Sequence, residues 1–269
     1  MGGNSSAGCG RWASRWSTGA SSVTRTPTST DRRETTVSSG WDDYLDLRKR
    51  LPEYFADPAD AAIRILDDAE QVTAAEHAKA GALRARGLPP EWSRAGVVYQ
   101  DEYLTLVRDP VRFPGGGLGT YIRKLPSGGA DGVVLLPVLD GAIVLIEHFR
   151  HATRRWHLEA PRGFGEAGVP PAEQAARELQ EEIGVAPARL VGLGSMHPDT
   201  GTATDEVRLF LAEITELGPL GADEGIRAVR TYPAERVGDL IRDEVITDSF
   251  TIVAWTRATL RGLLTGRAR

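Results

Sequence analysis

The sequence predicts an α+β fold, a mixed β-sheet sandwiched between helices (α/β/α), with a helical extension at its N-terminal side. Three observations predict it. Apolar runs of strand length follow one another from Gly96 to Ile214. One amphipathic helix interrupts them, and two helical stretches close the chain. Strands interleaved with helices that carry an apolar stripe pack as a sheet covered on its faces.

The 269 residues carry 41% apolar side chains, enough for a packed core. Residues 1–40 are rich in Ser, Thr, Gly and Arg with almost no aliphatic side chains, and read as a disordered tail. Its five arginines stand against Asp31 and Glu34. A floppy tail is the plainer reading, and a weak nucleic-acid or targeting role is the alternative. Residues 41–95 read as the helical extension. Trp41, Tyr44, Leu45, Leu51 and Phe55 share a face, and Pro52 and Pro58 bracket a break. Ala61, Ala62, Ile65, Leu66, Ala69 and Val72 repeat at three and four, and an Ala-rich stretch runs from Thr73 to Arg86 before Gly87.

Residues 96–269 form the main domain. Val97–Tyr99, Tyr103–Val107 and Thr120–Arg123 are strand-like, with turns at Gln100–Glu102 and Pro114–Gly117. Gly132–Pro137 and Ala142–Glu147 flank Leu139-Asp140-Gly141 as a hairpin. A helix from Pro171 to Ile183 comes next, then strands at Leu190–Met196 and Val207–Ile214, then helices at Ala234–Arg242 and Asp248–Leu264.

Charge and cysteine usage narrow the function classes. The net charge of −5 gives no general attraction to nucleic acid or anionic membrane. No run of eighteen apolar residues predicts a membrane span. Cys9 is the single cysteine, which excludes an intramolecular disulfide and fits a cytoplasmic location. An acidic protein with a polyanionic substrate needs a metal or local arginines.

The chemistry concentrates in Leu158–Val185. Gly163, Gly165, Gly168, Pro161 and Pro170 form a loop, Pro171 suits the first helical position, and Gly184 suits the C-terminal cap. Ala175, Ala176, Leu179 and Ile183 make the buried stripe. Glu178, Glu181 and Glu182 fall at i, i+3 and i+4 on one face. Such a triplet is most often a solvated acidic face. With the loop before it, the alternative is a site for a hard cation that shares oxygen ligands with phosphates.

The segment resembles the Nudix box, G-x5-E-x7-R-E-U-x-E-E-x-G-U with U aliphatic. Gly163 takes the first place and Arg177-Glu178-Leu179-Gln180-Glu181-Glu182-Ile183-Gly184-Val185 the last nine. Val169 stands where the box has its first Glu, with Glu166 and Glu173 nearby but out of register. The flanks are similar to those of ADP-ribose and nucleoside diphosphate sugar pyrophosphatases: Glu159-Ala160-Pro161-Arg162-Gly163, the apolar strand Val144–Phe149 ending in Arg150, the loop Met196–Gly201, and Glu206 before a strand.

The resemblance implies a Nudix fold and Mg²⁺-dependent hydrolysis of a pyrophosphate bond, with Mn²⁺ able to substitute. It implies Glu178 and Glu182 as metal ligands, Glu181 as a further ligand or a base, the Arg162 carbonyl as another ligand, and Glu206 as the first choice of base. Arg150 would contact substrate, although a surface arginine at a strand end is an equal reading. Gly163, Arg177 and Gly184 would be structural. A small-molecule nucleotide is the implied partner, in a homodimer whose N-terminal strands reach the neighbour's site, with no membrane and no specific nucleic acid. The alternatives are a house-cleaning enzyme for nucleoside triphosphates and a Nudix ligand sensor without turnover. Trp156 could stack on a base, but a half-buried core tryptophan is the plainer reading.

Overall fold

The computed structural model describes residues 40–126, 131–220 and 225–264. Apart from Gly40, the expected disordered tail lies outside the described residues. The chain forms two compact units. One gathers the described residues up to 126 with the loop 199–205, and the other gathers those from 131 to 198 and from 206 to 264.

In the first unit, helix α1 (Gly40–Arg50) buries Tyr44 and Leu47 and stops before Pro52, where a short 3-10 turn follows. Of the three-and-four repeat at Ala61–Val72, the part before Ala69 is not a helix, which corrects the sequence reading. Arg64–Ile65 is instead a short strand, β1. The Asp57 carboxylate accepts from the Ile65 N–H at 3.1 Å and holds the chain extended. Helix α2 (Ala69–Ala85) begins only where Asp68 caps it, its side chain accepting from Gln71 N–H at 3.0 Å.

Strand β3 (Leu104–Arg112) is the centre of this unit's sheet. It pairs with β1, with β2 (Gly96–Gln100) and, along its whole length, with β4 (Leu118–Pro126), all antiparallel. Tyr44, Leu47, Phe55, Val107 and Leu125 form the core. Beneath them Asp109, only 2% exposed, takes hydrogen bonds from Tyr44 Oη and from Nε and Nη2 of Arg123. Arg123 also donates to the Tyr54 carbonyl at 2.6 Å.

The second unit is built on a mixed sheet in the order β11-β6-β5-β10-β9, with β5 at Gly132–Leu139, β6 at Ala142–Arg150, β9 at Arg189–Met196, β10 at Val207–Ile214 and β11 at Ile226–Pro233. β5 and β10 run parallel, and the other pairs antiparallel. β5 and β6 pair only beside their turn, at Val138↔Ile143 and Leu139↔Ala142. Beyond it they part: β7 (Arg155–Glu159) continues against β6, and β8 (Arg162–Gly163) against β5.

Period-two alternation sorts the central strands between two cores. Val133, Leu135, Val144 and Ile146 pack with Ala175, Leu179 and Ile183 of helix α3 (Pro171–Ile183). Val134, Leu136, Ile143 and Leu145 pack with Val237 and Leu240 of helix α4 (Ala234–Arg242) and with Ala254 and Ala258 of helix α5 (Ser249–Leu260). The predicted α/β/α sandwich is therefore present. Burial on both faces is why β5 and β6 read as unbroken apolar runs, each fully buried Val, Leu or Ile contributing about 1.5–3 kcal/mol. Among the described residues no helix is long and apolar enough to cross a membrane.

Candidate active site

Helix α3 carries the carboxylates. Pro171 occupies its first turn, and Gly184 ends it in the left-handed region at φ 70°, donating its N–H to the Gln180 carbonyl. That conformation suits glycine, and a Cβ there would also lie 2.5 Å from the Pro219 carbonyl oxygen. With Ala175, Leu179 and Ile183 in the core, the adjoining face brings Gln174, Glu178 and Glu182 inward. Glu178 is 2% and Glu182 3% exposed, which rules out a solvated acidic face for this pair. Glu181 is half-buried.

The loop before the helix is fitted around these carboxylates. The Arg162 backbone N–H donates to Glu182 Oε2 at 3.2 Å. Gln174 Nε2 donates to Glu178 Oε1 at 2.7 Å. Gly163 pairs with Val133, and a Cβ on it would fall 2.0–2.2 Å from the Glu178 carboxyl atoms. Glycine is thus required here by close approach, because its backbone is the surface on which Glu178 rests.

Arg177 points out to Glu166 at 3.3 Å and to Glu173, the two carboxylates beside the box position taken by Val169. Val169 itself sits in the loop turn, its N–H on the Glu166 carbonyl at 3.0 Å.

A second polar cluster lies where β5 and β6 part. Glu159, fully buried, faces Arg150, whose Nε donates to it at 2.6 Å, and Arg162, whose Nη2 stands at 3.5 Å. Arg162 also pairs with Asp248 at 3.3 Å and lies over the Phe250 ring at 4.4 Å. Asp248 caps α5, and Thr251 Oγ1 in that first turn accepts from the Ala160 N–H at 2.8 Å. Burial pushes the Glu159 carboxyl up despite both arginines, and pushes His148, beside it, down to about 4.

Glu206 stands one residue before β10, whose Val207 lies opposite Gly132, and a Cβ on Gly132 would be 3.4 Å from the Gly163 carbonyl oxygen. The register therefore places Glu206 at the same end of the sheet as the Gly163 loop. Its own contacts run to Ser195 and, at 3.7 Å, to Arg208. The Ser195 hydrogen bond is the main cause holding its carboxyl below the usual range.

The structure thus brings Glu178, Glu182, Gly163 and the Arg162 backbone together, and turns the Arg150 and Arg162 side chains toward Glu159. Gln174, Asp248 and Phe250 had no functional role in the sequence reading. Only Gln174 left a signal there, four residues before Glu178 on the same helical face. Trp156 is 43% exposed, with Arg227 over its ring at 4.3 Å.

Among the described residues no three His, Cys, Asp or Glu side chains form a ready-made metal cluster. The donors nevertheless suit a hard divalent cation. Two almost wholly buried carboxylates lie on one helix face, beside Gln174 Oε1, a buried acceptor with no hydrogen-bond donor among the described residues.

Comparison with known proteins agrees with this geometry. A NUDIX domain is matched over residues 129–255. An ADP-ribose pyrophosphatase of Mycobacterium tuberculosis is 34% identical over 148 residues, covering 53% of this chain and 70% of that protein. One of Bacillus subtilis is 29% identical over 169 residues, covering 57% and 90%. A solved structure described as an ADP compounds hydrolase superposes with a TM-score of 0.57 at 22% identity, over 65% of this chain and 94% of that one, a likeness of fold. The box on α3, the sheet that carries it and these relatives together show that the chain belongs to the Nudix family, as a hydrolase related to the ADP-ribose pyrophosphatases.

Proposed function

We propose that the protein hydrolyses the pyrophosphate bond of a nucleoside diphosphate derivative, ADP-ribose or another nucleoside diphosphate sugar, in a Mg²⁺-dependent reaction. The observation that carries this reading is the buried Glu178–Glu182 pair set against the Arg162–Gly163 backbone. Glu178 and Glu182 would hold the cation, with the Arg162 carbonyl and Glu181 as further donors. Bound there, Mg²⁺ or Mn²⁺ would neutralise phosphate charge and lower the pKa of water.

The remaining work falls to the chain. Glu206, held ionised at neutral pH by Ser195, accepts the proton of the attacking water, and Glu181 is the second choice. Arg150 has Nε and Nη2 turned to Glu159, which leaves its other Nη for a phosphate oxygen. Gly163, Arg177 and Gly184 keep the loop and helix in shape. The lone Cys9 suits a cytoplasmic enzyme, and the strands of the first unit suit a homodimer.

The test is hydrolysis of ADP-ribose with Mg²⁺, beside the Glu182→Gln variant and a panel of nucleotide sugars and triphosphates. AMP and ribose 5-phosphate are expected, with loss by more than about 100-fold in the variant, since even outer partners of a metal site cost 10- to 100-fold. A monophosphate and pyrophosphate from a triphosphate would identify the house-cleaning reading. Val169 at the box position favours one further alternative, a ligand sensor. Ligand binding with no turnover of any panel member would establish it. Sedimentation of the same preparation at micromolar concentration is expected to show a dimer, and monomer alone would overturn that part.

A further inference from the structure

We infer that Gln174 is a positioning residue of the metal site, holding Glu178 with its amide N–H and offering its buried Oε1 to the hydration shell of the bound cation. The inference rests on the proposed metal reading and adds a residue that the box does not specify. Gln174 is 6% exposed, and burying an amide is unfavourable unless it is hydrogen-bonded, so its polar atoms need partners. One contact is the 2.7 Å bond from Nε2 to Glu178 Oε1.

The amide orientation follows from the contact: the atom 2.7 Å from Glu178 Oε1 is the donor Nε2. Oε1 is then a buried acceptor with no hydrogen-bond donor among the described residues. Such an atom is ordinarily satisfied by water, and next to two carboxylates on one helix face that water belongs to a hydrated cation. The same geometry bears on Val169. The box glutamate is missing from the loop, and Glu178 is instead braced from within its own helix, four residues away, with the Gly163 backbone on its other side.

The test is Mn²⁺ binding to the substrate-free protein, read by the loss of the free-ion EPR signal, for wild type, Glu182→Gln, Gln174→Leu and Gln174→Asn. Leucine keeps the volume and helix preference of glutamine, and asparagine keeps the amide on a side chain too short to span to Glu178. Both variants are expected to bind Mn²⁺ about 10- to 100-fold more weakly, the usual cost of losing an outer partner. The Mg²⁺ concentration giving half-maximal hydrolysis should rise in parallel, with kcat at saturating Mg²⁺ within a few-fold of wild type. Affinity within twofold of wild type in both variants would overturn the inference, whatever happens to Tm. Gln174 would then be a packing residue. If wild type bound no Mn²⁺, or Glu182→Gln bound it as well as wild type, the metal reading itself would fall and this inference with it.

Discussion

Asp109 in the first unit and Glu178 and Glu182 in the second are all nearly fully buried carboxylates, and they are held in opposite ways. Asp109 is met by the Arg123 guanidinium on two sides and by the Tyr44 hydroxyl, whose own proton its charge and the burial hold tightly. Glu178 and Glu182 take hydrogen bonds from an amide side chain and a backbone N–H. A fixed guanidinium cancels a buried charge, whereas neutral donors orient one without cancelling it. The first arrangement is a fastener; the second sets two carboxylates on one helix face, where the proposed cation would add to the Arg162 charge that already acts on Glu182.

Paired substitutions sharpen this contrast. Asp109→Asn strips a buried arginine of its partner and should cost about 3–5 kcal/mol in urea unfolding. Glu178→Gln neutralises a carboxylate that Gln174 and Gly163 already accommodate. It should leave metal-free stability within about 1 kcal/mol of wild type while abolishing stabilisation by Mg²⁺. Equal losses in the two variants would break the distinction.

Glu159 is an intermediate case, with two arginines around it and a carboxyl still pushed up by burial. Its neighbour His148 reports on that desolvation. Burial first, then Arg150 and Arg162, push the imidazole down to about 4, below its unfolded value near 6.5. Because the folded pKa is the lower one, the unfolded chain binds the proton first as pH falls. The contribution is fully present above about pH 6.5 and is lost as pH drops through about 4, on the order of 3 kcal/mol. His148→Gln should flatten that part of a stability profile measured from pH 7 to 4. An unchanged slope would show that the acid sensitivity arises elsewhere.

How much of this was legible depended on how local the cause was. Helix α3 could be bounded from sequence because Pro171, the 175–179–183 stripe and Gly184 all act within the segment. The paired central strands were visible because each is apolar on both faces. Arg64–Ile65 was misread because its conformation is set by a side chain outside the repeat, Asp57, and by pairing with Arg112 and Val111, far along the chain. β11 was missed because its run, Ile226–Pro233, carries two arginines that pair with Glu147 on β6, some eighty positions away. At the site, the residue types of the box could be read, but not their burial. Nor did sequence show that the Arg150 and Arg162 side chains turn to Glu159, because that cluster joins β6, β7, β8 and the start of α5.

Gly163→Ala is the smallest perturbation and the most discriminating one. The added Cβ would occupy the space of the Glu178 carboxyl group, 2.0 Å from its carbon, and its three nearest neighbours are all atoms of that group. What must yield is the far end of a flexible side chain, not backbone, so the fold should lose only about 1 kcal/mol. Glu178, however, would be driven off both the Gly163 surface and the Gln174 amide. Metal-free Tm should therefore stay close to wild type while the rise in Tm on adding Mg²⁺ disappears. A fastener behaves in the reverse way, losing stability whether or not metal is present. If Gly163→Ala lowered Tm steeply without metal, Glu178 would be part of the packing that holds the loop, and it would belong with Asp109.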